Sequence, residues 1–200
     1  MYKLLLFVTL FLTVIYAREW QIGKSDQGVS ESEKQLITKK HNDFRLLIAQ
    51  GKVKNQPKGT NLKKFKWDDK LAAAAQEIAN TNQFKHVRVY DARFGVGQNL
   101  YQSYVWLSSN QMDTKSDWNA AVTAWFQEHK DYKYPQIPNS LTGHYTQLVW
   151  ANTEYVGCGY SVYRQDGFLK KLYVCNYGPA GNYVGEAPYE TGASGCENLC

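Results

Sequence analysis

Ile37, His41, Phe44, Leu47 and Ile48 fall at helical spacing, which predicts a helix over about 31–50 with Gly51 as its stop. A second helix is predicted from a cap at Asp68 or Asp69 to about Asn82, and its four alanines at 72–75 permit close approach of a helix or sheet. A polar loop follows, and then Trp118, Val122 and Trp125 form the buried stripe of a third helix, capped by Ser116 or Asp117 and reaching about Lys130. Residues 87–90 and 98–101 read as strands between the second and third helices. The segment 52–66, carrying Pro57 and Gly59, reads as a basic loop.

The last third reads as a hairpin. Residues 155–163 and 168–176 flank Asp166-Gly167, a pair that favours a two-residue type I′ turn. With that turn, paired positions sum to 333, so Cys158 lies directly across from Cys175. Alternation from the turn puts them in a non-hydrogen-bonded pair, with Cα atoms about 4.5 Å apart, near the short end of what a disulfide accepts. A Cys158–Cys175 disulfide is therefore expected. Cys196 and Cys200 form the favoured second pair, but the ring is very small, and unpaired thiols or a link to another chain remain open.

Of the 200 residues, 44% are hydrophobic, 20% charged and 14% aromatic, which suits one compact domain and excludes disordered, collagenous and multipass membrane classes. Residues 1–17 read as a secretory signal, with Lys3 before an apolar run at 4–15 and Ala17 at the cut. That run falls short of the roughly 20 residues a membrane span needs. The expected layout is a signal at 1–17, a tail at 18–30, the domain at 31–189 and a cysteine-bearing tail at 190–200. The mature chain is expected to be extracellular, soluble and monomeric, and such a location leaves nucleic acid out as a partner. Residues 34–70 hold eleven bases and three acids, a face suited either to solvent or to an anionic surface.

Four histidines, His41, His86, His129 and His144, lack any HExxH or CxxC context, and no G-x-S-x-G elbow, phosphate loop or dinucleotide fingerprint is present. His41, on the inward stripe of its helix, reads as a hydrogen-bonded core histidine.

The run Gly143-His144-Tyr145-Thr146-Gln147-Leu148-Val149-Trp150-Ala151-Asn152-Thr153 resembles the first signature of the CAP superfamily of cysteine-rich secretory, antigen-five and pathogenesis-related proteins. Leu172-Tyr173-Val174-Cys175-Asn176-Tyr177-Gly178-Pro179-Ala180-Gly181-Asn182-Tyr183 resembles the second. His41-Asn42-Asp43-Phe44-Arg45 and Trp125-Phe126-Gln127-Glu128 are similar to two further helical motifs of that superfamily. The resemblance implies an α+β fold, a three-layer α-β-α sandwich around a central antiparallel sheet. It also implies a cleft of His86, Gln98, Glu128 and His144, with Gln98 where many members have Glu, as in the arthropod antigen-five branch. An amide is neutral, so Gln98 is no general base and a poorer ligand.

No cofactor is required by this set. The resemblance allows zinc or another divalent ion, weakly held by His86, His144 and Glu128 with waters, and the alternative is a metal-free hydrogen-bonded network. His129 should point about 100° away from Glu128 around the helix and stays outside the site. No catalytic residue is assigned. The implied function is a secreted, non-enzymatic effector resembling venom or salivary allergens, with a host extracellular protein, a lipid or an anionic surface as partner. The alternatives are a lipid or sterol carrier using the loop from Tyr132 to Leu141, a hydrolase with His144 or His86 as base, Glu128 orienting it and a Ser, Thr or water as nucleophile, Thr146 being near in sequence, and an ion-channel toxin.

Overall fold

The computed structural model describes residues 28–106, 113–193 and 199, so the proposed signal at 1–17, most of the tail after it, Cys196 and Cys200 lie outside the described residues. The described residues form four α-helices and four strands, in the order α1 Glu31–Ala49, β1 Lys66–Trp67, α2 Asp69–Asn80, β2 Gly97–Trp106, α3 Trp118–Gln127, α4 Gly143–Leu148, β3 Tyr155–Gln165 and β4 Phe168–Gly178. A 3₁₀ turn, Glu128–Lys130, continues α3. Each of the first three helices starts on a side chain that satisfies an otherwise orphaned backbone N–H: Ser30 and Glu33 make a reciprocal capping box, Asp68 accepts from Leu71 and Asp117 from Ala120.

The strands form one sheet in the order β1-β3-β4-β2. Pairing is antiparallel except at the short β1, which runs parallel to β3. The central antiparallel sheet is as expected, and the parallel edge is a two-residue strand that carried too little pattern to be foreseen. Residues 87–90 are also not a strand. They belong to an irregular segment whose backbone is held by the Gln98 side chain and by the Asp91–Arg93–Asp68 ion pairs rather than by a ladder. β2 instead continues to Trp106, well past the predicted Tyr101.

The hairpin takes the predicted register, with Gln165 opposite Phe168 and Cys158 opposite Cys175. Asp166 and Gly167 have φ of 54° and 80°, the left-handed values a type I′ turn needs. The Cys158–Cys175 disulfide is formed, with Cα atoms 4.1 Å apart.

Alternation along the strands builds two cores. Val156, Cys158, Tyr160, Val162, Tyr173, Cys175 and Tyr177 face α1, α3 and α4, whereas Leu100, Tyr163, Leu172 and Val174 face α2. The sheet is thus the middle layer of the α-β-α sandwich. Its second interface is close because the α2 alanines meet Gly157 and Gly159 of β3, where any Cβ would overlap the α2 backbone. Gln76 of α2 also closes part of the β3 edge, accepting from Tyr160 N at 3.0 Å and donating to Tyr160 O at 2.9 Å.

Candidate functional site

The four cleft residues come from four separate places and meet at the end of the sheet where β2 begins. His86 lies on the segment after α2, Gln98 is the second residue of β2, Glu128 follows α3, and His144 is in the first turn of α4. The two imidazole rings lie 6.5 Å apart between centroids, tilted by 30°.

Glu128 organises one half. α4 has no side-chain cap of its own at Thr142, and the Glu128 carboxylate supplies it from outside, with Oε2 accepting from the backbone N–H groups of His144 and Tyr145 at 3.0 Å each. A negative charge at a helix N-terminus is favourable both as acceptor and against the helix dipole. The other oxygen, Oε1, accepts from His144 Nδ1 at 2.6 Å. That bond places the proton on Nδ1 and leaves the lone pair of Nε2 for the cleft.

Gln98 organises the other half. Its Oε1 accepts from His86 Nδ1 at 3.0 Å and from Val87 N at 3.1 Å. Its Nε2 donates to Val87 O at 3.2 Å and to Asn176 Oδ1, its cross-strand neighbour on β4, at 2.9 Å. Both ends of the amide are in use, and two of the four bonds require an N–H donor that a carboxylate lacks. The His86 side thus also has Nδ1 as donor and Nε2 free.

Behind the cleft runs a buried polar chain that sequence reasoning did not find. Asn99 Nδ2 donates to the carbonyl of His144 at 3.0 Å and to Tyr177 Oη at 3.2 Å, and the Tyr177 hydroxyl donates in turn to His41 Nε2 at 2.9 Å. His41 Nδ1 donates to Ile37 O at 2.8 Å. Burial holds this imidazole neutral, its pKa pulled down to about 4. His41 is therefore a core histidine as predicted, and the turn-derived alternation could have placed Tyr177 on the same face of β4 as Cys175.

Among the described residues, no group of three or more His, Cys, Asp or Glu side chains is placed to hold a metal ion. The two Nε2 lone pairs are suitable zinc donors, whereas Glu128 has both oxygens committed to N–H groups and acts on His144 instead. The ring of His129 packs on Phe126 and Tyr145, outside the cleft. Thr146 is fully buried, its hydroxyl 2.7 Å from Asn182 Oδ1. In the loop from Tyr132 to Leu141, the two tyrosines are packing anchors whose hydroxyls donate to Gln136 O and Tyr189 O, while Ile137 and Leu141 are exposed. A groove of about 660 Å³ runs elsewhere, between α1 and the stretch 64–69. Much of the basic face is answered internally: Lys34, Lys39, Lys66 and Lys70 meet Asp69, Asp43, Glu154 and Asp91. Arg45 is buried, donating to the carbonyls of Lys63, Leu148, Trp150, Ala151 and Thr153.

Residues 38–177 match the family described as CAP, the cysteine-rich secretory protein family. The chain belongs to the CAP family. This CAP chain is 41% identical over 174 residues to venom allergen 5 of Vespula pensylvanica, covering 82% of the chain and 83% of the relative. It is 36% identical over 218 residues to cysteine-rich secretory protein 3 of Equus caballus, covering 98% and 82%. With the CRISP/Allergen/PR-1 protein of Trittame loki it shares 38% identity over 190 residues, and there it spans 46% of the relative, about half its length. Among solved structures, BmVAL-1 superposes with a TM-score of 0.69 at 28% identity, covering 82% of this chain and 84% of that one. NaASP2 with Zn²⁺ superposes at 0.67 with 32% identity, covering 82% and 88%. These neighbours share the α-β-α sandwich, and no described helix is long and apolar enough to cross a membrane.

Proposed function

We propose that this CAP protein is a secreted, non-enzymatic effector of the venom-allergen kind, which acts by binding extracellular host molecules through its surface. The observation that carries this reading is the commitment of both polar supports of the cleft. Gln98 spends both ends of its amide tying His86 and Val87 to the sheet, and Glu128 spends both oxygens capping α4 and fixing His144. A hydrolase here would use His144 Nε2 as base with Glu128 orienting the ring, and nucleophilic attack further needs a reachable hydroxyl. The buried Thr146, its hydroxyl bonded to Asn182 Oδ1, does not supply one.

What the cleft offers is a pair of imidazole Nε2 atoms. They suit a weakly held divalent cation completed by waters, in keeping with the zinc named for NaASP2. In this reading the cation binds the cleft without being needed for the effector surface. Native mass spectrometry with zinc supplied tests the first part: one weakly bound ion in the parent chain and none in a His86→Ala, His144→Ala double variant. Host-tissue binding tests the second: the double variant retains it. Loss of host binding together with zinc would overturn the surface reading, and turnover of an ester or peptide that vanishes in the double variant would overturn the non-enzymatic one.

A further inference from the structure

β2 is an edge strand, and its outer half carries none of the features that usually keep an edge from pairing. The Cys158–Cys175 pair is non-hydrogen-bonded within β3 and β4, so Cys175 turns its N–H and C=O toward β2 and pairs there with Asn99. By alternation, Gln98, Leu100, Gln102, Tyr104 and Trp106 point their backbone groups away from the sheet. Trp125 Nε1 donates to Leu100 O at 3.0 Å from that outer side, which confirms the parity and closes the edge at Leu100.

Beyond Leu100, no backbone partner is found for the outward groups of Gln102, Tyr104 and Trp106 among the described residues. The segment Gln102-Ser103-Tyr104-Val105-Trp106 has no charge, proline or glycine, and its register with β4 runs to Phe168 without a bulge. Charges, prolines and bulges are what edge strands ordinarily use against association. Tyr104, Val105 and Trp106 are 64%, 61% and 61% exposed, and the Phe168 ring packs against Tyr104 and Trp106 at 5.4 and 4.8 Å.

We propose that this chain pairs with a second copy of itself through the free edge of β2, the two strands running antiparallel about a two-fold axis at Tyr104. In that register Gln102 faces the other copy's Trp106, Tyr104 faces its own counterpart, and all the outward N–H and C=O groups of the three residues are satisfied at once. Moving the axis toward Leu100 would run into the carbonyl already taken by Trp125. The nearest cations do not oppose the pairing, because Lys170 lies against Asp166 and Lys171 against Asp113 within the same chain. The exposed parts of the three apolar side chains amount to on the order of 350 Å² per copy. Two copies together fall short of the roughly 1,200 Å² at the low end of stable interfaces. The dimer is therefore reversible and concentration-dependent, in departure from the monomer expected of the sequence.

Sedimentation equilibrium and amide hydrogen exchange by NMR, run on the full chain over a concentration series, test this. The expected result is a mass rising toward twice that of one chain, with slowing of exchange concentrated at the amides of Gln102, Tyr104 and Trp106. Tyr104→Lys, which sets two cations face to face at the axis, should lose both effects while Ser103 and Val105 keep their exchange protection. A single-chain mass at every concentration, or association with no slowing at those three amides, overturns the proposal. So does a folded Tyr104→Lys variant that associates like the parent. Should that variant not fold, the parent exchange pattern decides alone.

Discussion

Replacing Glu128 with Gln keeps the shape of the side chain and removes its charge and one acceptor. The carboxylate serves three donors, His144 N, Tyr145 N and His144 Nδ1, and a single amide oxygen cannot reach all three while its NH₂ faces donors. Loss of a helix cap costs about 0.5–2 kcal/mol. A hydrogen bond to a charged group is worth about 1.5–3 kcal/mol against about 0.5–1.5 for a neutral one. Glu128 and His144 side chains are 19% and 26% exposed, so solvent screens part of the ionic contribution. The expected loss is about 2–3 kcal/mol, roughly 4–12 °C in Tm for a domain of this size. Urea denaturation measures the loss, and ¹⁵N shifts of the imidazole measure the second consequence, that His144 no longer holds its proton on Nδ1 alone. A loss below about 0.5 kcal/mol, smaller than one cap, with the Nδ1–H tautomer unchanged would refute the assignment of Glu128 as the residue that both caps α4 and orients His144.

Two further outcomes follow from the core. His41 has its pKa lowered from 6.5 to about 4 by burial, so the unfolded chain takes up a proton between those values and the folded chain does not. Its contribution is therefore full above pH 6.5 and declines by about 3 kcal/mol as the pH falls to 4; His41→Gln should flatten that part of the stability profile, and an unchanged slope in denaturation across it would contradict the linkage. Gly159→Ala should cost about 1–3 kcal/mol or more, because its Cβ would meet the α2 backbone at Ala75 and Gln76, whereas Gly143→Ala, with only Asn182 Nδ2 nearby at 3.8 Å, should be tolerated; equal thermal shifts for the two would contradict the close α2–β3 packing.

The readable parts of the sequence were those where a local pattern and the tertiary structure ask for the same thing. Asp166-Gly167 fixed a turn whose parity reached Cys158 and Cys175, seven residues along each strand, and the structure keeps that register. The three long helices begin at residues whose side chains cap their own chain within three positions. α4 is different. It is six residues long, lacks a local side-chain cap and is started by a carboxylate sixteen positions away, so neither periodicity nor a capping motif announces it. Likewise β1 is two residues held by pairing with β3, and the segment 84–96 is held by Gln98, Asp91 and Arg93. The membership of the cleft came from the resemblance, while the tasks of its members depend on donors and acceptors that only the fold brings together.

Those tasks make the two halves of the cleft unequal. His144 is gripped through its ring, its N–H and its carbonyl, and the last of these leads through Asn99 and Tyr177 to the buried His41. His86 is exposed, lies on irregular chain and is held through its ring by Gln98. A cation held by His86 and His144 would gain from a preorganised His144 and would have to order His86, so Gln98 would act on its affinity through the ring it holds. A glutamate at 98 would add charge to the cleft, yet it would set carboxylate oxygen against Val87 O and Asn176 Oδ1, where the amide now donates. The same substitution that supplied an acid would thus loosen the segment carrying one of the two imidazoles. A carboxylate at 98 would keep accepting from His86 Nδ1 and Val87 N, and what it would lose is the pair of bonds the amide donates, to Val87 O and to Asn176 Oδ1 on the neighbouring strand.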